Sequence, residues 1–333
     1  MTKLVFVTQA VDPNDPVLAA TLPKIRALAA LVDEVVVLAD RVVEGALPAN
    51  CRVHSFSASS QAGRGARYVA ALAPELAGRP VAVVAHMAPI YAVLAAPLAR
   101  PLRVPLLLWF TQQAGGRLLD VAERVVDAVL TVDERSVPLH SDKVRAIGHG
   151  IDVAALPCVP ERRPPLRRLL GLGRYAPVKG WETVLRALPE LPEATLTLHG
   201  PVLTDADREY RPRLEALALE LGVDARVAFG DAVAYAEVPH LFGLADALVN
   251  ATAGNSADKV VYEAAAACLP VFAASPVFDG LLPEQLRFHG DYPGSLAEKI
   301  RGYAGGAGQA LRARVEAEHS VERWAERVLE AAG

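Results

Sequence analysis

Cysteine is scarce: three residues, Cys51, Cys158 and Cys268, in a chain of 333, widely spaced and without a CxxC pair. Neither a disulfide framework nor a structural zinc site is expected from them, and a reducing, cytoplasmic setting is. Apolar runs are short as well. Val104–Phe110 is interrupted by Pro105, and the opening MTKLVFVTQ has one lysine and a strand-length apolar run, well under the roughly 20 residues of a membrane span and too short for a signal-peptide core. Neither sign of charge dominates: 34 Lys and Arg stand against 38 Asp and Glu, a net charge of −4. With no basic face to neutralise phosphates, nucleic acid is not an expected partner. GxGxxG, GxxxxGKS/T, HExxH and GxSxG are all missing, which removes the core motifs of dinucleotide oxidoreductases, P-loop NTPases, zinc proteases and α/β-hydrolases. The eight histidines do not pair at ligand spacing, so neither a metal nor another cofactor is expected.

What the chain does have is apolar material, 52% of its residues, enough for two cores at this length. Short β-type runs alternate with helical patterns, the signature of parallel sheets covered by helices. Strands are expected at 3–8, 34–39, 52–56, 81–85, 105–110, 128–132 and 144–147. The Pro-rich, basic segment LPCVPERRPPL, 156–166, continues neither a helix nor a central strand and reads as a linker. Alternation then resumes, with strands at 168–172, 194–199, 226–229, 247–250 and 271–274 and a weaker one at Leu286–His289. Helices are clearest at 207–221 and 258–269, and the chain ends in helical patterns at 296–303, 311–319 and 321–331.

In open α/β sheets ligands bind at the carboxyl ends of strands, so those junctions carry the candidate chemistry. GLGRYAPVKG, Gly171–Gly180, offers close backbone approach at Gly173 and a planar and a point cation, Arg174 and Lys179, suited to a diphosphate. Gly200 and Gly230 end two further strands, where loops can pass close to a nucleotide. Gly148 and Gly150 in GHGID form either an anion-binding turn or the exit from a last strand. His86, ending a central strand, either meets a substrate hydroxyl or is a buried histidine satisfied by backbone. GNSADKVVYEAAAACLPV, Gly254–Val271, reads as a loop, a helix of about three turns and a Leu-Pro break. Asn255, Ser256 or Asp258 is placed to cap that helix, and Lys259 and Glu263 share its flank at i, i+4.

Taken together, Gly173-Arg174, Lys179-Gly180, Gly200, Gly230-Asp231, Ala245–Val249, Glu263-Ala264 and Pro270-Val271 resemble the retaining GT-B glycosyltransferases, family 4 (glycosyl transferases group 1). Thr8-Gln9, Val11-Asp12, Asn14–Leu18, His86–Tyr91 and Gly148–Asp152 are similar to a bacterial and archaeal branch of it. The resemblance implies an α/β fold of two Rossmann-like doubly wound parallel-sheet domains facing across a cleft. It implies an acceptor-side domain over 1–155 with helix 320–331 packing back on it, a linker at 156–166 and a nucleotide-sugar domain over 167–319. The implied activity is hexosyl transfer from a nucleotide-diphosphate sugar, with retention and without metal, to a glycan or lipid-linked acceptor. Arg64 with Arg67, Arg100 with Arg103 and Arg162 with Arg163 are either a solvated surface or an attraction to anionic lipid, which would give peripheral association at the inner face of the membrane. By position, Arg174 and Lys179 would clamp the diphosphate, Glu263 would hold the ribose and His86 would lie beside the transferred sugar. Gly150, Gly173, Gly200, Gly230, Asn255, Ser256 and Lys259 would line the donor. Asn255 stands where the family usually has a glutamate, a loss of charge and length; the alternative is therefore a sugar-nucleotide-binding protein of impaired catalysis.

Overall fold

The computed structural model describes residues 2–15 and 18–333; Pro16 and Val17 of the Asn14–Leu18 motif lie outside them. The chain divides into two units, 1–150 with 318–333, and 151–317.

The first unit is built on a seven-stranded sheet: β1 (Lys3–Val11), β2 (Glu34–Val42), β3 (Cys51–Ser55), β4 (Val83–His86), β5 (Leu106–Trp109), β6 (Ala128–Thr131) and β7 (Val144–Ala146). All pairings are parallel, in the order β3-β2-β1-β4-β5-β6-β7. Both faces of the central strands are buried, which is why they read as continuous apolar runs. Because alternate residues point to opposite faces, Val5, Val7, Val83, Ala85, Leu106 and Leu108 join one core with Tyr68, Leu72 and Tyr91. Those aromatics come from helices α2 (Gln61–Ala77) and α3 (Pro89–Ala99), while α1 (Leu22–Leu31) packs with the C-terminal helix Val321–Ala331. The strand order reverses between β1 and β4, the switch point at which ligands bind such sheets. His86 ends β4 there.

The second unit carries five parallel strands: β8 (Arg168–Leu172), β9 (Thr195–His199), β10 (Val227–Gly230), β11 (Ala247–Asn250) and β12 (Val271–Ala273), ordered β10-β9-β8-β11-β12. Its switch point lies between β8 and β11. After α4 (Arg117–Val125) of the first unit, the loop after β8 leads through a turn at Pro177–Lys179 into α5 (Trp181–Ala187). Helices α6 (Asp205–Glu220) and α7 (Val238–Leu244) follow β9 and β10, and the loop after β11 leads into α8 (Lys259–Ala266). The two motifs singled out in the sequence therefore flank one crevice position.

Three expectations are corrected. α8 has eight residues, not the twelve of 258–269: Cys268 adopts a left-handed φ of 61°, which stops a helix, and Pro270 follows. Asp258 takes the N-cap position with no side-chain cap bond, its carboxylate being engaged elsewhere. Leu286–His289 is no strand, but a turn at Glu284–Leu286 and a single bridge between Ala273 and Arg287. The cysteines are the third correction, since Cys158 and Cys268 form a disulfide, their Cα atoms 5.0 Å apart across 110 residues. The Pro-rich segment runs along the end of α8, where Val159 N–H donates to Ala267 O at 2.8 Å. Sequence spacing carries no sign of that approach. The segment lies within the second unit, with Arg162 bonded to Gly243 O at 2.7 Å.

Candidate functional site

At the β8/β11 switch, backbone closeness comes before charge. Gly173 N–H donates to His199 O at 2.9 Å, carrying the β8–β9 ladder one step past the sheet. A Cβ on Gly200 would sit 1.8 Å from Gly173 O, so only glycine lets the two loops touch. Tyr175 reinforces the join, its hydroxyl donating to Leu198 O at 3.1 Å and Gly230 O at 2.7 Å. Ala253 N–H bonds to Val178 O at 2.9 Å and links the other pair of loops.

The cations on this frame are all paired. Lys179 Nζ donates to both oxygens of Asp258, at 2.8 and 2.7 Å. Asp258, its side chain 12% exposed, also accepts from Asn250 Nδ2 at 2.8 Å, from Thr252 and from Ser256 Oγ at 2.9 Å. Burial alone would raise its pKa; the Lys179 charge and the bonds from Asn250, Lys179 and Thr252 outweigh it and bring the carboxyl down to about 2. Arg174 Nε lies 3.6 Å from Asp207, which also accepts from Leu203 and Thr204 N–H. Glu263, buried on α8, accepts through Oε1 from Tyr235 Oη at 2.7 Å and from Lys259 Nζ. Three cations thus face three carboxylates. Asn255 and Ser256 lie half-buried in the loop before Asp258.

Sequence reasoning attached no role to Tyr235 and left Asp258 as a cap or as a substitute for the carboxylate missing at Asn255. The first could be signalled by an aromatic in a glycine-led loop. For the second, three donors (Asn250, Thr252 and Ser256) lie within eight positions, but the charge that makes it a partner, Lys179, comes from 79 positions away.

His86 and Gly150 belong to the first unit. His86 is buried, 5.5 Å from the Phe6 ring, and neither ring nitrogen takes a hydrogen bond, so the backbone-satisfied alternative does not hold. Burial, aided by the charge of Lys24, drives its pKa well below 6.5; the imidazole is neutral. In the sheet register His86 stands beside Trp109, over which Lys24 Nζ sits at 4.7 Å. Trp324 packs edge-on to Trp109 at 5.6 Å. The space at both GHGID glycines is already used: a Cβ on Gly148 would strike Glu318 O at 2.2 Å, and one on Gly150 Lys24 Cε at 2.7 Å. Their positive φ therefore serves this packing.

Residues 161–281 match the family model of glycosyl transferases group 1. The matched segment spans β8 to β12 and contains every residue described at the β8/β11 switch. D-inositol 3-phosphate glycosyltransferase of Mycobacterium tuberculosis (strain H37Rv) is 28% identical over 228 residues, 62% of this chain and 46% of the relative; the match spans about half the relative's length. Sucrose-phosphate synthase from Thermosynechococcus elongatus superposes with a TM-score of 0.76 at 18% identity, over 99% of this chain and 98% of the other. Anabaena HepE in complex with UDP and glucose gives 0.75 at 18% identity, over 99% of both chains. These likenesses show the fold: two parallel-sheet α/β domains of the GT-B glycosyltransferase type. Among the described residues no helix is long and apolar enough to cross a membrane.

Proposed function

We propose that the chain is a family 4 glycosyltransferase that moves a hexosyl group from a nucleotide-diphosphate sugar to a glycan or lipid-linked acceptor, with retention of configuration and without metal. One observation carries this: at the switch point of the second unit, Arg174 and Lys179 stand on the loop after β8, which meets the loop after β9 at Gly173 and Gly200 and is tied through Val178 O to Ala253 N–H of the loop leading into α8, the helix that carries buried Glu263. The match over 161–281 supports it, as does the mycobacterial relative named for sugar transfer.

Arg174 and Lys179 would neutralise the diphosphate as it departs, in the place a divalent cation takes elsewhere, with Glu263 accepting from the ribose hydroxyls. A charge-assisted contact of this kind is worth about 1.5–3 kcal/mol, so Lys179→Ala is expected to lower kcat/KM by about ten- to a hundredfold. Steady-state assay with the cognate donor checks this, and wild-type turnover in that variant would sink the assignment. The donor is found by thermal shift with UDP-, GDP- and ADP-sugars, since a ligand of the folded state raises Tm by mass action. Turnover should survive EDTA, and proton NMR of the product should show the donor's anomeric configuration.

A second reading, sugar-nucleotide binding with impaired transfer, is favoured by Asn255 and by the Lys179–Asp258 pair. Calorimetric binding of a donor that is neither hydrolysed nor transferred when acceptors are supplied would select it.

A further inference from the structure

Glu263, Lys259 and Tyr235 close a triangle within the second unit. The Tyr235 hydroxyl and the Lys259 ammonium both donate to Glu263 Oε1, and that ammonium stands 4.0 Å from the centroid of the Tyr235 ring. The carboxylate side chain is only 4% exposed. A charge at that depth persists only when paired and hydrogen-bonded. Lys259 supplies the pairing from one turn earlier on α8, as any i, i+4 pair would. Tyr235 comes from the loop after β10, so it fixes the carboxylate from a second direction. Burial and the neighbouring carboxylate hold its pKa far above the ordinary phenol value, which keeps the hydroxyl a donor. Both bonds go to one oxygen, and the carboxylate plane is thereby set with Oε2 left to accept.

We propose that Tyr235 is a positioning residue: it orients Glu263 so that Oε2 meets the ribose hydroxyls of the nucleotide, and it thereby sets the preference for ribose over deoxyribose. This rests on the nucleotide-sugar reading above. Lys259 alone can swing with its flexible stem, whereas a planar phenol packed under the ammonium has two rotatable angles and holds one geometry.

Calorimetry with UDP, GDP and ADP and with their 2′-deoxy and 3′-deoxy counterparts tests it. Wild type is expected to bind the preferred ribonucleotide about tenfold or more tightly than its deoxy forms, the fold-change of one charge-assisted bond. In Tyr235→Phe, which keeps the ring under Lys259, that ratio should fall to within about threefold of one, mainly through weaker binding of the ribonucleotide. A general loss of stability would weaken all nucleotides alike and leave the ratio standing. Tyr235→His returns a ring donor and should restore part of the ratio; it also carries the comparison if the Phe protein is insoluble. An unchanged ratio in both variants, or no ribose preference in wild type, overturns the role of Tyr235. If no nucleotide binds wild type, the nucleotide-sugar reading falls and the proposal with it.

Discussion

Asp258 shows how a site residue can depend on its partners more than on its own identity. Its carboxylate would be costly at that depth, yet Lys179, Asn250, Thr252 and Ser256 all donate to it, and its pKa drops from 3.8 to about 2. A carboxyl whose folded pKa lies below its unfolded one stabilises the fold above the unfolded value, and that contribution is lost as pH falls from about 4 toward 2. The expected loss is about 2 kcal/mol. Urea midpoints measured between pH 5 and pH 2 should fall along this limb in wild type and stay flatter in Asp258→Asn, which starts from a lower stability. An identical acid limb in the variant would mean that other carboxylates govern it. The same bonds answer whether Asp258 replaces the charge missing at Asn255. With four donor residues already on it, this carboxylate is committed to Lys179 and to the loop after β11.

Strands were the most legible elements. β8 and β11 have the bounds read from the sequence, and the other ten differ by one to three residues at an end, because parallel strands buried on both faces leave unbroken apolar runs. α8 was shorter than read, since its apolar face continues through Ala267 and Cys268 while the backbone leaves the helix at a left-handed cysteine. Periodicity records which side chains are buried and is blind to where φ changes sign. Glycines were legible as turn formers but not by the contact each one permits. Gly200 against Gly173 is the sharpest case: a methyl group placed 1.8 Å from a carbonyl oxygen must part the β8 and β9 loops. Gly200→Ala is expected to cost about 1–3 kcal/mol of stability, seen as a lower denaturation midpoint, together with loss of nucleotide-induced thermal shift. A variant as stable as wild type would show that the loops separate freely.

The two-unit α/β organisation followed from length, apolar content and alternation, because the hydrophobic demand of a doubly wound sheet is written along the chain. The likeness to GT-B structures over 99% of the chain agrees. The disulfide is where composition misled. Three scattered cysteines argue against cross-links on average, but Cys158 and Cys268 are brought together by a Pro-rich segment lying along the end of α8. Closing a loop of this length restrains the unfolded chain, and removing the bridge by Cys158→Ala with Cys268→Ala should cost about 2–4 kcal/mol. Reductant should lower the wild-type midpoint toward that of the double variant, which itself should not respond; equal midpoints throughout would mean that the bridge adds nothing. By itself the sequence determined the strand and helix order, the glycine-and-cation motifs and the candidate residues His86, Arg174, Lys179 and Glu263, since propensity, burial period and turn chemistry are properties of neighbouring residues. Only the tertiary structure decided that Lys179 belongs to Asp258, that Tyr235 belongs to Glu263 and that Cys158 meets Cys268. These are contacts between residues 28 to 110 positions apart, and no local pattern encodes a distance that the packing of strands and loops creates.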